Sequence, residues 1–290
     1  MKKILLDTDI GSDIDDAFCL AYLLCQKDCE LIGVSTVSGE PEKRAELASA
    51  VCRNLGRTVP IYAGCENTLL VSPLQPKAQQ YEKIDKWEHD AEFPRVHSVE
   101  FLREQIEKNP NEVTLLAIGP MTNIALLFSM YPHTAALVKE LVIMCGYFYP
   151  PEQEPRLREW NVMCDPHAAQ IVYNASVNSI RLIGLDVTFK CQMGKAEARE
   201  KCKAKALAPV MDFVDIWFEK NDLITFHDPL AAAVIFDEDI CKFESGNVSV
   251  ELGEKDSGFT YWTADNNGRI KIAREVDTER FFSHYFGTIY

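Results

Sequence analysis

The stretch "ILLDTDIGSDIDDAF", residues 4–18, places five aspartates directly after a short run of large apolar residues. The apolar run predicts a buried strand, and the apolar residues at helical spacing that follow predict a helix. One or two acids suit the first turn of a helix, but five carboxylates this close repel one another. We therefore interpret the cluster as part of a site for a hard cation with oxygen ligands, and expect further ligands elsewhere in the chain. The five residues are Asp7, Asp9, Asp13, Asp15 and Asp16.

The same order of strand and helix recurs along most of the chain. Residues 30–39 and 112–119 are β-rich and apolar, and residues 42–56 have helical periodicity. Strands that alternate with helices predict βαβ units, and hence an α/β fold with an open, mostly parallel sheet flanked by helices. From about residue 241 three β-rich segments predict a small antiparallel meander, with a turn at residues 266–268 (Asn-Asn-Gly). No linker or repeat interrupts the pattern, so we expect a single domain over residues 1–290.

Composition excludes some classes of function. The formal charge is 30 − 44 = −14, which argues against binding to nucleic acid or to an anionic membrane surface. No segment approaches the roughly 18 consecutive apolar residues that a membrane-spanning helix needs. The ten cysteines are spread singly along the chain, which is typical of reduced thiols. We therefore expect a cytoplasmic protein that acts on a small ligand.

Polar clusters follow the predicted strands. Besides residues 7–16, they are residues 38–40, 119–123 and 152–161. In open parallel sheets the ligand site lies beyond the carboxyl ends of the strands. We expect these clusters to meet at one edge of the sheet.

The pattern Asp7-x-Asp9 after an apolar strand also fits a phosphatase of the haloacid dehalogenase type. In that alternative Asp7 is the nucleophile, Asp9 the acid, and magnesium the cofactor. The pattern is short, and the alternative leaves the other three aspartates without a role.

Four stretches together resemble the inosine–uridine-preferring nucleoside hydrolases, which are calcium-dependent N-ribosidases. The opening "DTDIGSDIDDA" resembles the signature of that family, and later stretches resemble its Gly-Pro-Leu-Thr-Asn, Glu-Phe-Asn and His-Asp-Pro-Leu-Ala segments. These are "AIGPMTNIA" (117–125), "REWNVMCDPHAA" (158–169) and "FHDPLAAA" (226–233). The resemblance implies a nucleoside hydrolase-like fold and hydrolysis of a ribonucleoside to ribose and base.

The resemblance also implies a set of ligands for Ca²⁺. It makes Asp9 both a metal ligand and the base that activates water, and makes Asp16 and Asp228 ligands. The main-chain carbonyl of Ile118 completes the implied set. This chemistry agrees with what a cation and a neighbouring carboxylate can do for water attack on a glycosidic carbon.

The spacing of the acids departs from many family members, which have the paired aspartates two residues sooner. Either Asp13 or Asp15 can fill the second ligand position in this sequence. We favour Asp15, because it keeps the acidic pair next to Ala17 at the start of the helix.

Several residues match the sugar-binding positions of the family. Glu159 and Asn161 match its acid and amide, and Gln153 stands where the family has another sugar-binding amide. Glu40 replaces an asparagine that usually follows the second strand, so it either removes a ribose contact or adds a carboxylate. The resemblance makes His227 a group near the departing base, although a histidine before Asp-Pro is also typical of a capping or packed side chain.

The region that would contact the base is less defined. Residues 66–96 predict a long surface loop and lack the His-Gly-rich flap of the family. Trp217 and Phe218 either stack on a base or pack in the core. A catalytically silent member that binds a ribosyl ligand is a further alternative. The resemblance implies a homodimer or homotetramer.

Overall fold

The structure, a computed structural model, describes residues 1–151 and 156–290. In these ranges nine strands form one sheet with the order β10-β9-β11-β6-β5-β4-β1-β2-β3, and β7 and β8 form a small antiparallel sheet. The strands are β1 (Lys2–Thr8), β2 (Cys29–Thr36), β3 (Ile61–Ala63), β4 (Val113–Ala117), β5 (Glu140–Met144), β6 (Ile180–Ile183), β7 (Gln192–Gly194), β8 (Leu223–Thr225), β9 (Cys241–Val250), β10 (Thr260–Ala264) and β11 (Ile270–Val276). The predicted α/β class with a mostly parallel sheet is confirmed.

Helices cover both faces of this sheet. They are α1 (Asp15–Cys25), α2 (Pro41–Asn54), α3 (Ser98–Lys108), α4 (Thr122–Met130), α5 (His133–Leu137), α6 (Trp160–Cys164), α7 (Pro166–Asn174), α8 (Leu185–Thr188), α9 (Lys195–Lys201), α10 (Ala208–Trp217), α11 (His227–Phe236) and α12 (Thr278–Ile289). Short 3-10 helices span Gln79–Lys86, Lys205–Leu207 and Glu238–Ile240.

The central strand β1 shows why the sequence forms this sheet. It pairs in parallel with β2 and β4, and its apolar residues are fully buried. Ile4 and Leu6 pack into the core on the face that α1 covers, and Leu5 packs into the core on the opposite face. A strand covered on both faces reads as a continuous apolar run instead of alternating with polar residues.

Helix α1 is buried along nearly its whole length, because α2, α11 and α12 pack around it. The first turns of α1 and α11 lie side by side, since the backbone N–H of Asp228 donates to Asp15 Oδ2 at 3.0 Å. These residues are 213 positions apart in sequence. Packing of two buried helices therefore brings acids from distant parts of the chain to one edge of the sheet.

The C-terminal strands differ from a strict meander. β9 lies between β10 and β11 and pairs antiparallel with both, while β11 also pairs in parallel with β6. The predicted turn at residues 266–268 forms, but it links two strands that are not neighbours. The antiparallel strands are present as predicted and extend the main sheet.

Residues 66–96 contain more structure than the surface loop that the sequence predicts. The 3-10 helix Gln79–Lys86 buries Gln80 and Ile84, and Gln75 before it is also buried. This part of the segment packs against residues 9–13, next to the acidic cluster.

All ten cysteines are free, and nine of them are buried, which agrees with the predicted reduced thiols. In the described ranges, no helix combines the length and the apolar character that crossing a membrane requires.

Candidate active site

A cavity of about 700 Å³ opens at the carboxyl edge of the sheet. Its floor follows the ends of β1, β4 and β5, as the polar clusters predict. The predicted residues that line it are Asp9, Asp13, Asp15, Asp16, Ile118, Glu159, Asn161, His227 and Asp228.

Three of these residues form what we call the acidic triad, Asp15, Asp16 and Asp228. One carboxylate oxygen from each residue lies within 4.8 Å of the others, and all three side chains are buried. Asp16 also accepts the hydroxyl hydrogen of Thr8 at 2.5 Å, which fixes its side chain against the end of β1. The three atoms that could bind a metal ion are all carboxylate oxygens, which suits a hard divalent cation.

The electrostatics of the triad favour a bound cation. Burial raises the pKa of each triad carboxyl well above its usual value, and repulsion from neighbouring carboxylates raises it further. Buried like charges at this spacing are stable only when they are protonated or neutralised by a partner. A divalent cation among the three side chains provides that neutralisation, so these residues fit a metal site.

Asp9 lies beside the triad at the end of β1. The Asp9 carboxylate also lies close to the backbone at Gly119. A Cβ atom at position 119 would lie 2.8 Å from Asp9 Oδ1, so glycine leaves room for this side chain. Burial raises the pKa of Asp9, while the Arg44 guanidinium and a hydrogen bond from Gln75 oppose the rise. The Asp9 carboxylate is therefore placed to accept a proton from a molecule in the cavity.

Asp13 and Asp7 have different surroundings. Asp13 lines the cavity outside the acidic triad, and burial raises its pKa to about 6. Asp7 is fully buried and is not among the described residues that line the cavity. Its Oδ1 accepts hydrogen bonds from Ser35 and Asn123, and burial raises its pKa to about 7. Asp15 rather than Asp13 thus belongs to the triad, and Asp7 is not placed to act as a nucleophile.

Glu159 and Asn161 stand on one wall of the cavity. Glu159 caps α6: its carboxylate accepts the backbone N–H groups of Gly146, Asn161 and Val162 at 2.8–3.1 Å. Burial raises its pKa to about 7. Each carboxylate oxygen can accept more than one hydrogen bond, so Glu159 retains capacity for a ligand hydroxyl.

The amide of Asn161 is held by two carbonyls. Its Nδ2 donates to the carbonyl oxygens of Ile118 at 2.9 Å and Met144 at 3.1 Å. Both amide protons are therefore used, and Oδ1 is the atom that can accept a hydrogen bond from a ligand. The Ile118 carbonyl has a second lone pair, so this contact leaves it able to coordinate a cation.

His227 begins α11 and also lines the cavity. Its Nδ1 lies 2.7 Å from the Thr188 hydroxyl, and its ring packs edge-on against Phe189 with centroids 5.8 Å apart. Burial lowers its pKa to about 4, so the imidazole is neutral near pH 7. Trp217 also lines the cavity, whereas Phe218 packs in the core.

One predicted sugar-binding residue is not brought to this cavity. Glu40 pairs with Lys43 at 2.6 Å and accepts the backbone N–H of Ala78 at 3.0 Å, and it does not line the cavity. The Glu40 carboxylate therefore binds the backbone just before the 3-10 helix Gln79–Lys86. Gln153 lies outside the described residues.

Sequence reasoning missed Gln75, Trp160 and Arg44. The amide of Gln75 bridges Asp9 and the indole of Trp160, and Arg44 is a fully buried cation that donates to the Asp9 carbonyl. Gln75 falls in a segment without periodicity, so no pattern identified it. Trp160 lies between Glu159 and Asn161 in the sequence, and all three residues line the cavity. Its place between two predicted site residues was the signal available for Trp160.

The fold and site together define an α/β enzyme with a buried acidic cleft at the carboxyl edge of its sheet. The family model described as inosine-uridine preferring nucleoside hydrolase matches residues 4–283. The chain belongs to this family, and it is a hydrolase.

Individual relatives agree with this assignment. The chain is 28% identical to the inosine-uridine preferring nucleoside hydrolase of Leishmania major, over 97% of this chain and 95% of that protein. It is 27% identical to uridine nucleosidase 1 of Arabidopsis thaliana, over 96% and 90% of the two chains. The solved structure of a purine-preferring ribonucleoside hydrolase from Gardnerella vaginalis superposes with a TM-score of 0.85 at 23% identity, covering 99% and 98%. That superposition shows a shared fold.

The phosphatase alternative is wrong. The family match covers nearly the whole chain, and Asp7 is enclosed by Ser35 and Asn123 instead of facing the cavity.

Proposed function

We propose that this enzyme hydrolyses the N-glycosidic bond of a ribonucleoside with the help of Ca²⁺, releasing ribose and the free base. The observation that carries the proposal is the acidic triad, whose carboxylate oxygens converge within 4.8 Å beside Asp9. Its relatives are named for inosine, uridine and purine nucleosides, so the proposal leaves the base open.

Asp15, Asp16 and Asp228 would hold the cation, together with Asp9 and the carbonyl of Ile118. A bound Ca²⁺ would supply Lewis acidity that lowers the pKa of water and orients sugar hydroxyls.

The protein's own groups account for the remaining steps. Asp9 accepts the proton of the attacking water as the general base. Glu159 and Asn161 Oδ1 accept hydrogen bonds from ribose hydroxyls, and so fix the sugar with its anomeric carbon near Asp9. The buried carboxylates also provide negative potential, which stabilises the positive charge that develops on the sugar ring.

His227 also lines the cavity, and in the proposed reaction it interacts with the departing base. Its neutral imidazole can hold a proton on Nε2 when Nδ1 accepts the Thr188 hydroxyl hydrogen. In that tautomer it donates a hydrogen bond to the departing base, which keeps the electron pair of the broken C1′–N bond and then gains a proton from water. Because its pKa is lowered to about 4, it does not act as an imidazolium acid near pH 7.

The test is release of free ribose from a panel of purine and pyrimidine ribonucleosides in the presence of calcium. We expect turnover by the wild type, none by Asp9→Ala, and strongly reduced turnover by Asp228→Asn. Absence of ribose from every nucleoside would refute the activity. Stabilisation by a nucleoside without product would then support the silent, ligand-binding alternative.

We also propose that the chain acts as a single domain, in the cytoplasm, and as a homodimer or homotetramer. Light scattering coupled to size-exclusion chromatography tests the oligomeric state, and a monomer at assay concentration would contradict it.

A further inference from the structure

Gln75 has both ends of its side-chain amide engaged at the active site. Its Nε2 donates to Asp9 Oδ2 at 2.5 Å, and its Oε1 accepts the indole N–H of Trp160 at 2.7 Å. An indole nitrogen can only donate, so the oxygen of the amide must face Trp160 and its NH₂ group must face Asp9. The hydrogen-bond partners therefore fix the orientation of the amide.

We propose that Gln75 is a positioning residue that sets the orientation of the Asp9 carboxylate for proton abstraction. The inference rests on the proposed function, in which Asp9 is the general base. A carboxylate on a short loop can rotate, and one directional donor on Oδ2 restricts that rotation. Each carboxylate oxygen accepts two hydrogen bonds, so the contact leaves Oδ2 able to accept the proton of a water molecule.

The segment that carries Gln75 is firmly attached to the loop that carries Asp9. The backbone N–H of Gln80 donates to the Gly11 carbonyl at 3.0 Å, and its side chain donates to the Asp13 carbonyl at 2.8 Å. Arg44 bridges both segments, since its guanidinium donates to the carbonyls of Asp9 and of Lys77. Gln75 thus approaches Asp9 from a backbone that is fixed relative to it.

The same geometry raises a competing explanation, in which the amide of Gln75 merely blocks Asp9 from water. The two explanations predict opposite changes in kcat. If Gln75 orients Asp9, removal of the donor lowers kcat. If Gln75 obstructs Asp9, removal of the donor raises kcat.

The experiment compares the calcium-loaded wild type with Gln75→Leu and Gln75→Met at pH 8. Both replacements remove the donor to Asp9 and the acceptor for Trp160, and methionine keeps nearly the length of the glutamine side chain. Gln105→Leu, the same chemical change at a half-buried position of α3 that does not line the cavity, is the matched control. Thermal melting checks that each variant folds.

We expect both Gln75 variants to lose about 10- to 100-fold in kcat, the usual effect of removing a partner that orients a ligating side chain. We expect KM to change by less than about threefold, because Gln75 acts through Asp9 rather than on substrate. Gln105→Leu should match the wild type. A kcat for Gln75→Leu equal to or above that of the wild type would overturn the inference.

A second measurement does not depend on turnover. Crystal structures of the calcium-loaded wild type and Gln75→Leu are expected to differ in the rotation of the Asp9 carboxylate. An unchanged Asp9 side chain overturns the inference even if the protein hydrolyses no nucleoside. Wild-type inactivity alone would instead refute the proposed function.

Discussion

Removal of a bound divalent cation is expected to destabilise this protein much more at pH 8 than at pH 5.5. The perturbation acts on the acidic triad, Asp15, Asp16 and Asp228, whose oxygens lie within 4.8 Å of one another. Two unit charges at that separation of 4.8 Å repel by about 3.5 kcal/mol at an effective dielectric constant of about 20. Without a cation, the folded protein relieves this repulsion by binding protons, which are scarce at pH 8.

The sign follows from the direction of the pKa shifts. Burial, and then repulsion by neighbouring carboxylates, raises the pKa values of the triad in the folded protein. The cation-free folded state therefore binds more protons than the unfolded chain above pH 4, so its stability falls as the pH rises. Asp13 and Glu159, with pKa values raised to about 6 and about 7, extend the same trend to neutral pH. Each such proton changes stability by about 1.4 kcal/mol per pH unit.

Differential scanning fluorimetry with EDTA or with calcium, at both pH values, measures the effect. Calcium at 100 times its Kd stabilises by about 2.7 kcal/mol. That corresponds to a rise in Tm of about 4–5 °C for a protein of 290 residues. We expect this rise at pH 8 and less than about half of it at pH 5.5, where protons compete with the cation.

Matched variants separate the triad from general charge effects. Asp28→Asn removes an exposed carboxylate and should behave as the wild type. Asp228→Asn should lose most of the calcium-dependent rise at pH 8. An equal calcium effect at both pH values in the wild type would refute the reasoning about the triad.

Three further outcomes are expected. Asp9→Asn should lower kcat by about 10³-fold or more without loss of folding, because the general base is removed; a ribose-release assay showing a loss under tenfold would contradict this role. Arg44→Met should cost about 2–4 kcal/mol in urea unfolding, since it leaves buried carbonyls unpaired; a cost below about 0.5 kcal/mol would show that those contacts are weak. The imidazole of His227 should titrate near pH 4 by NMR, because burial lowers its pKa to about 4; a midpoint near 6.5, the usual histidine value, would contradict its desolvation.

Much of the fold follows from local sequence patterns. The continuous apolar run of β1 and the apolar face of α1 reflect burial on a sheet covered by helices, and such patterns are visible in any short window. The position of β11 beside β6 was not visible, because strand order depends on contacts between distant segments. The Asn-Asn-Gly turn favoured a hairpin, yet β9 occupies the place between the two strands that it connects.

The site residues also fall into those that the sequence identifies and those that depend on contacts between distant segments. The resemblance to nucleoside hydrolases implied Asp16 and Asp228, and left a further position open to Asp13 or Asp15. The structure brings Asp15, which was favoured, together with these two residues. Glu40 was expected either to remove a ribose contact or to add a carboxylate to the site. Its ion pair with Lys43 and its hydrogen bond from the Ala78 backbone hold it outside the cavity lining. A carboxylate has many possible partners, and sequence alone does not show which one is nearest.

Gln75 illustrates a different reason for a missed residue. Its role depends on two single hydrogen bonds, to Asp9 and from Trp160, that link three separate segments. Such a contact leaves no periodicity and no composition bias. Only the folded arrangement reveals it.

In sequence, Asp228 lies far from the other two residues of the acidic triad, and this separation has a consequence for biosynthesis. During translation, Asp15 and Asp16 emerge from the ribosome early, whereas Asp228 follows 213 positions after Asp15. A nascent chain that ends before α11 therefore exposes its first carboxylates without the residue that closes the site. In the function proposed above, a chain that ends before Asp228 lacks one of the three carboxylates that would hold the cation, so metal loading would follow only in the last quarter of synthesis.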